Sequence, residues 1–364
     1  MNNIHSLYIH IPFCDHLCDY CDFPKLQYFR IFAQKYIKEL GKELKTYHIS
    51  RPLKTIYIGG GTPTSLEDDL FLELLKMLDK YTSNIEEYTI ECNPESLSTN
   101  KLMMMKSHGV NRLSIGIEST HNDILKAINR HHTYEDVKAA IKNAKEVGFK
   151  NINVDLILGL PHVSKKMLEE DLDNIFNLQV PHISCYSLTV HPQTVFGIKG
   201  INELPDDETR ELYDLVEKKM QENGYIHYEV SNYAKPNMMS IHNFSYWQDE
   251  EYYGVGLGAS GYMSGVRYTN TRSINKYLEG KYRQEEETIS LDDDKTYFIM
   301  LTLRTIKGLD LKLYKEKFKE DLYTKKQTEI EAFIKEKYLI LDHDILIPTY
   351  EGMMILDTII RDLI

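Results

Sequence analysis

Six short stretches of this chain read as strands, and each is followed by a helical pattern. The strand candidates are residues 7–11, 55–58, 88–91, 112–117, 151–158 and 183–188. The helical patterns between them are residues 31–47, 66–81, 100–108, 134–147 and 165–177. A seventh unit is expected from a helix at 206–223 and a strand near 226–230. Such alternation predicts an α/β fold with a parallel sheet, because each crossover places a helix outside the strands. With this many units and no dinucleotide fingerprint, the expectation is a complete or partial (β/α) TIM-type barrel. Its chemistry belongs at the C-terminal ends of the strands.

The pattern changes after Val230. We expect residues 1–230 to form the barrel and residues 231–285, rich in Asn, Tyr, Ser and Gly, to form an irregular connecting segment. Residues 286–364 read as a smaller, mainly helical, winged-helix-like C-terminal domain. Its helices are expected at 293–306, 311–318 and 325–337, with a wing at 338–347 and a terminal helix. A winged helix suggests DNA, but the net charge of −12 opposes phosphate contacts and favours a packing or lid role. No apolar run approaches the roughly 18 residues of a membrane span. The first residues lack the basic-then-apolar pattern of a secretory leader. The expected location is the cytoplasm, and contact with a membrane surface stays open.

Three cysteines carry the strongest chemical signal. Cys14, Cys18 and Cys21 follow the first strand in the run HIPFCDHLCDYCDF, spaced C-x3-C-x2-C. Three thiolates on one short loop can hold three irons of a [4Fe–4S] cluster and leave the fourth open to a small chelating ligand. Zinc is the rival, with His10 or His16 as a fourth ligand. Cys92 and Cys185 are isolated and read as small buried residues on strands. The odd count argues against a disulfide framework.

The second signal is Gly59-Gly60-Gly61-Thr62-Pro63-Thr64, which ends the second strand. Glycines let the backbone come close to a ligand and present its own N–H and C=O groups. No G-K-[ST] follows, so this is not a phosphate loop.

Together, YIHIPFC-x3-C-x2-C and GGGTPT resemble the radical S-adenosylmethionine superfamily, and within it the oxygen-independent coproporphyrinogen III oxidase-like group. The resemblance runs from about Ser6 to Tyr350 through IECNPE, RLSIGIES, INRHHT and NVDLILGLP. It implies a [4Fe–4S] cluster on Cys14, Cys18 and Cys21, with S-adenosylmethionine on the open iron. One electron from a donor would then release methionine and a 5′-deoxyadenosyl radical. It also implies that Tyr8 and Tyr20 line the nucleoside and that Gly60, Gly61 and Thr62 hold the methionine end. Glu91, Arg130 and Asp155 match polar positions around the cofactor. Glu118 stands where relatives often carry Gln.

Two departures separate the chain from the oxidases. They carry a fourth cysteine where this chain has Phe23, and an extension before the first strand. In both respects the chain resembles the HemW family of haem chaperones. So does His242-Asn243-Phe244-Ser245-Tyr246-Trp247, which matches the HNxxYW motif of that branch. His is a natural axial ligand for haem iron, and Tyr246 and Trp247 offer flat apolar surface. His242 is therefore the expected haem ligand, with His191, His227 and the pair His131-His132 as rivals. Gly254, Gly256 and Gly258 read as a tight turn near the cofactor.

The resulting expectation is a haem chaperone that binds haem, one [4Fe–4S] cluster and S-adenosylmethionine, and delivers haem to client proteins such as membrane respiratory enzymes. A homodimer is compatible with it. The alternative is coproporphyrinogen III oxidase activity, which converts propionates to vinyls in porphyrin biosynthesis. A radical enzyme acting on an unrelated substrate is a third reading.

Overall fold

Along each predicted strand, apolar and polar residues alternate. The period of two sends them to opposite faces of the sheet. The protein, seen in a computed structural model, is described over residues 4–50 and 52–364. Six strands run parallel side by side: β1 (Ser6–Ile11), β2 (Thr55–Gly60), β3 (Glu87–Cys92), β4 (Arg112–Glu118), β5 (Asn151–Leu158) and β6 (His182–Ser187). Leu7, Ile9, Ile56, Ile58, Ile90, Leu113, Ile152 and Val154 face outward into one continuous core beneath the helices. Each such side chain contributes about 1.5–3 kcal/mol on burial. A one-residue slip would turn the whole set inward, so the register is strongly specified.

The outer helices are α1 (Arg30–Thr46), α2 (Asp68–Leu78), α3 (Thr99–Ser107), α4 (Tyr134–Val147), α5 (Lys165–Asn177) and α6 (Asp206–Glu222). In α4, Val137, Ala140, Ile141 and Ala144 form the buried stripe. A capping box between Thr133 and Asp136 starts this helix, and Gly148, in the left-handed region at φ 97°, stops it.

The polar set faces a concave lumen. It includes Tyr57 of β2, Glu87 and Glu91 of β3, Arg112 and Ser114 of β4, Asn153 and Asp155 of β5, and His182 and Ser184 of β6. Neighbouring strands satisfy these groups across the lumen. Asn153 Nδ2 donates to Ser114 Oγ at 2.8 Å, and Ser184 Oγ donates to Asn153 Oδ1 at 3.1 Å. A barrel packed with Val, Ile and Leu would leave no room for a ligand; this lining leaves a polar chamber.

The structure corrects two expectations. The strand near 226–230 does not add a seventh parallel unit. β7 (Ile226–Glu229) and β8 (Asn232–Ala234) form an antiparallel hairpin beside β6 at one sheet edge. Residues 231–285 are also not irregular. After the short helix α7 (Ile241–Trp247), β9 (Tyr252–Val255) lies parallel to β1 on its free side. β10 (Ser260–Met263), β11 (Val266–Asn270) and β12 (Arg283–Thr288) then extend the same sheet antiparallel, giving twelve strands in all. The polar composition of this stretch hides its strands because β12 is an exposed edge whose residues are mostly charged.

Glu43 of α1 ties this extension down. Its carboxylate accepts from Gly256 N, Asn270 Nδ2 and the Tyr277 hydroxyl. Gly254 and Gly256 are there for backbone approach. A Cβ on Gly254 would lie 1.8 Å from Ser260 O, and one on Gly256 would lie 2.5 Å from His10 O. Gly254 serves the β9–β10 contact and Gly256 the approach to β1, and the expected tight turn follows, with Ala259 N donating to Gly256 O at 3.2 Å.

The C-terminal part has its own core, with Phe298, Leu303, Tyr314, Ile330, Leu346 and Ile359 at its centre. It comprises α8 (Leu291–Thr302), α9 (Leu311–Phe318), α10 (Gln327–Lys335) and α11 (Leu356–Leu363). A three-stranded sheet in the order Leu309–Asp310, Ile345–Pro348, Leu339–Asp342 completes it. The helices and wing correspond to those expected. A bridge between Glu229 and Thr305 and the Lys317–Asp249 ion pair (3.3 Å) join it to the sheet-bearing part. Among the described residues, no helix is long and apolar enough to cross a membrane.

Gly254→Ala is expected to lose at least about 3 kcal/mol in urea unfolding, because backbone cannot yield as a flexible side chain does. Unchanged stability would mean that β9 is not held against β10 this closely.

Candidate cofactor site

The parallel strands end on one rim, and the loops leaving them enclose a cavity of about 400 Å³. The cysteine loop follows β1. Phe13–Cys14 pairs in parallel with Leu26–Gln27, which closes the loop on itself, and Lys25 Nζ donates to the carbonyls of Cys18 and Cys21. All three predicted cysteines line this cavity. Burial pushes the Cys14 thiol up to about 12 and also raises Cys21. A metal must therefore displace protons as it binds here.

The glycine loop packs directly on the cysteine loop. Thr62 N donates to Phe13 O at 2.7 Å, and Gly61 N to Ile11 O at 2.8 Å. A Cβ on Gly61 would lie 2.9 Å from Cys14 Sγ. A Cβ on Gly59 would lie 2.6 Å from the Glu91 carboxyl. Only glycine fits at either position without displacing a wall of the cavity.

Tyr20, Gly60, Gly61, Thr62, Glu91, Glu118, Arg130 and Asp155 also line the cavity. Tyr8 does not; it lies deeper and donates to His10 Nδ1 at 2.9 Å. His10 Nε2 in turn donates to Pro24 O at 2.7 Å. Both ring nitrogens of His10 are thus engaged, and His16 stacks on His131 at 3.6 Å. Among the described residues, no three His, Cys, Asp or Glu side chains converge on a single ion.

Glu118 reaches the cavity through a bulge. The β4–β5 register shifts between Gly116 and Glu118, and Glu118 sits at φ 62°. This left-handed conformation in a buried non-glycine residue marks stored strain. Arg130 lies 3.5 Å from Glu118 and 3.6 Å from Cys18 Sγ, and its Nε has no partner. Burial pushes both Glu91 and Glu118 up to about 7. These two carboxyls therefore gain charge near neutral pH, beside the cationic Arg130 and Lys25. Sequence reading missed Lys25, Asn93 and Tyr186 on the walls. Ser114 and Gly116 lay within the RLSIGIES run but had no assigned role.

The expected haem set lies elsewhere. His242, Tyr246 and Trp247 sit on α7, which plugs the opposite end of the barrel, where the strands begin. Glu87, the first residue of β3, caps this helix: it accepts from Ser240 Oγ (2.8 Å), Ile241 N (2.8 Å) and His242 N (3.0 Å). His242 is fully buried. Thr55 Oγ1 gives its own proton to Ser6 Oγ, so it accepts from His242 Nδ1 at 2.8 Å. His242 Nε2 then accepts from the Tyr246 hydroxyl at 2.7 Å. Burial lowers the His242 pKa to about 3, so the ring stays neutral. The expectation of a presented axial ligand is corrected on this point: in this conformation neither ring nitrogen is free. Trp247 is half-buried beside it.

The rival histidines differ in access. His191 lines the cavity, 3.3 Å from Asp22, and His131 is exposed in the stack with His16. His227 is held by Glu217 at 3.1 Å, and His132 is buried.

Two outcomes follow from this geometry. A carboxyl raised in the fold stabilises most below its unfolded value of about 4.3, and that contribution is lost as pH rises through about 7. Glu118→Gln is therefore expected to stabilise the ligand-free protein by about 1–3 kcal/mol at pH 8 and hardly at all at pH 4, read by thermal unfolding. His242→Ala is expected to cost about 2–4 kcal/mol in urea, because Thr55 and Tyr246 both lose a buried partner. A loss under 0.5 kcal/mol, within the ordinary range for surface changes, would refute the plug.

Comparison with known proteins agrees with this arrangement. Residues 8–175 match the model of the radical SAM superfamily, and residues 289–355 match the HemN C-terminal domain. The fold superposes on coproporphyrinogen III oxidase from Escherichia coli with a TM-score of 0.86, covering 100% of this chain and 90% of that one at 20% identity. The haem chaperone HemW of Lactococcus lactis is 37% identical over 361 residues, 95% of this chain and 94% of its own length. That of Bacillus subtilis is 39% identical over 339 residues, 87% of this chain and 88% of its own. A half-barrel whose rim gathers three cysteines and a glycine loop, matched along nearly its whole length at this identity, belongs to the radical S-adenosylmethionine superfamily and, within it, to the HemW family.

Proposed function

We propose that this protein is a haem chaperone whose cavity holds a [4Fe–4S] cluster on Cys14, Cys18 and Cys21 and S-adenosylmethionine beside it. The observation that carries the cofactor reading is the single cavity into which the three cysteines and eight of the nine expected cofactor residues project. Haem as cargo is supported by the names of the relatives, and its delivery to client proteins is part of the same proposal.

The residues present fit these groups. Three thiols on one loop suit a cluster that keeps one iron open. When bound, the pair would supply one-electron cleavage of the sulfonium. Gly60, Gly61 and Thr62 offer backbone groups to an amino acid end. Arg130 can hold a carboxylate, while Glu91, Glu118 and Asp155 can accept from an ammonium or ribose hydroxyls. Tyr20 supplies an aromatic wall, and the enclosing loops limit water.

Coproporphyrinogen III oxidase activity is the second reading, favoured by the overlay on the Escherichia coli enzyme. Phe23 stands against it, where the oxidases carry a fourth cysteine.

The test is an anaerobic haem titration of cluster-reconstituted protein, followed by transfer to an apo-acceptor. The expected result is a saturable Soret signal at defined stoichiometry and haem release to the acceptor. The variant carrying Cys14→Ser, Cys18→Ser and Cys21→Ser should lose S-adenosylmethionine binding and transfer. Normal binding and transfer in that variant would sink the proposal. Conversion of coproporphyrinogen III that depends on S-adenosylmethionine would replace it with the oxidase reading.

A further inference from the structure

The plug and the cofactor cavity occupy opposite ends of the barrel, yet a continuous set of contacts joins them. The His242 ring stacks on Tyr57, with centroids 5.2 Å apart and planes 27° apart. The Tyr57 hydroxyl donates to Glu91 Oε1 at 2.8 Å. Glu91 Oε2 accepts from Gly60 N at 2.9 Å. Gly60, at φ 114°, belongs to the loop that packs on the cysteines. Tyr57 itself does not line the cavity. Its ring lies between the plug and Tyr8 of β1, whose ring centroid is 6.1 Å away, and its hydroxyl donates to the carboxylate that orients the glycine loop.

We propose that Tyr57 is a positioning residue that couples helix α7 to the S-adenosylmethionine pocket, so that the state of His242 sets how firmly Glu91 holds the glycine loop. This rests on the reading of the upper cavity as the S-adenosylmethionine site. The physical reason is that the Tyr57 ring is held on one side by the stacked His242 ring and on the other by the tilted Tyr8 ring, and has one acceptor for its proton. With the stack intact, the hydroxyl points at Glu91 and favours its charged form. If His242 turns away, the Tyr57 ring keeps only Tyr8 beside it and Glu91 loses a fixed donor. Displacement of the plug and S-adenosylmethionine binding then bias each other by the same factor, as linkage requires. The plug motif thereby acquires a role at the cofactor cavity as well as at its own end.

The test is a double-mutant cycle on S-adenosylmethionine affinity, measured by equilibrium dialysis on cluster-reconstituted protein. Tyr57→Phe keeps the stack and removes the hydroxyl; it is expected to weaken binding about 3- to 10-fold. His242→Ala, or Tyr246→Phe where the former yields little folded protein, is expected to weaken binding about 3-fold when Tyr57 is present and not further when Tyr57 is Phe. A second readout separates coupling from a general loss of structure. Glu91 is faced by Tyr57, the Gly60 N–H, Asp155, Arg112, Tyr8, Glu118, Tyr186, Tyr246 and Cys92. Removing the Tyr57 donor disfavours the charged carboxylate, so the pH midpoint of binding should move upward in Tyr57→Phe, with unfolding in urea little changed. Independent, multiplicative effects of the two substitutions with an unmoved pH midpoint would overturn the coupling while leaving the cofactor reading intact. A wild-type protein that takes up no S-adenosylmethionine would overturn both.

Discussion

The fold depends on keeping a polar lumen closed at the bottom. Strands that put Glu87, Arg112, Asn153 and His182 inside a barrel expose buried polar groups to a large desolvation cost unless each finds a partner. The Glu87 carboxylate meets this by capping α7 with three hydrogen bonds. The helix so held closes the end of the barrel where the strands begin. His182 adds to the closure, bonding Asn153 at 2.6 Å and the Tyr228 hydroxyl at 2.8 Å. With that floor in place, the opposite rim can stay open and hold a ligand.

The rim is built on the opposite economy. Its loops approach through backbone contacts that only glycine permits, and its carboxylates are held by few donors. Glu91 and Glu118 are raised because they are buried without full compensation. Such strain at a cavity wall is what a site awaiting a charged ligand looks like, since the ligand supplies the missing partner. The bulge at Glu118 and the unpartnered Arg130 Nε belong to the same pattern. The stable end and the strained end share strands β2 and β3, which is why Tyr57 and Glu91 can pass a change from one to the other.

The extension of the sheet beyond β1 gives the motif helix its place. α7 lies between β8 and β9 in the chain, and these strands sit on opposite flanks of the six-strand run. The chain crosses the bottom of the barrel to get from one flank to the other, and α7 lies on that crossing. Glu43, anchoring Gly256 and Asn270 to α1, fixes where the crossing ends.

Much of this was legible in the residues. The period-two pattern and the helical stripes define the six parallel strands and their helices, because burial of whole faces leaves no competing register. The cysteine spacing and the glycine run mark the rim, since both are local features that act within a few residues. The strands after Val230 were not legible: they are short and end in a charged edge, and β9 is placed by pairing with β1 on one side and β10 on the other. Nor could the sequence tell that HNxxYW seals a barrel floor. His beside aromatics is chemically able to bind iron or to satisfy a buried network. Only the tertiary contacts of Thr55, Tyr57 and Glu87, brought from residues more than 150 positions away, decide that in this conformation both ring nitrogens are already taken.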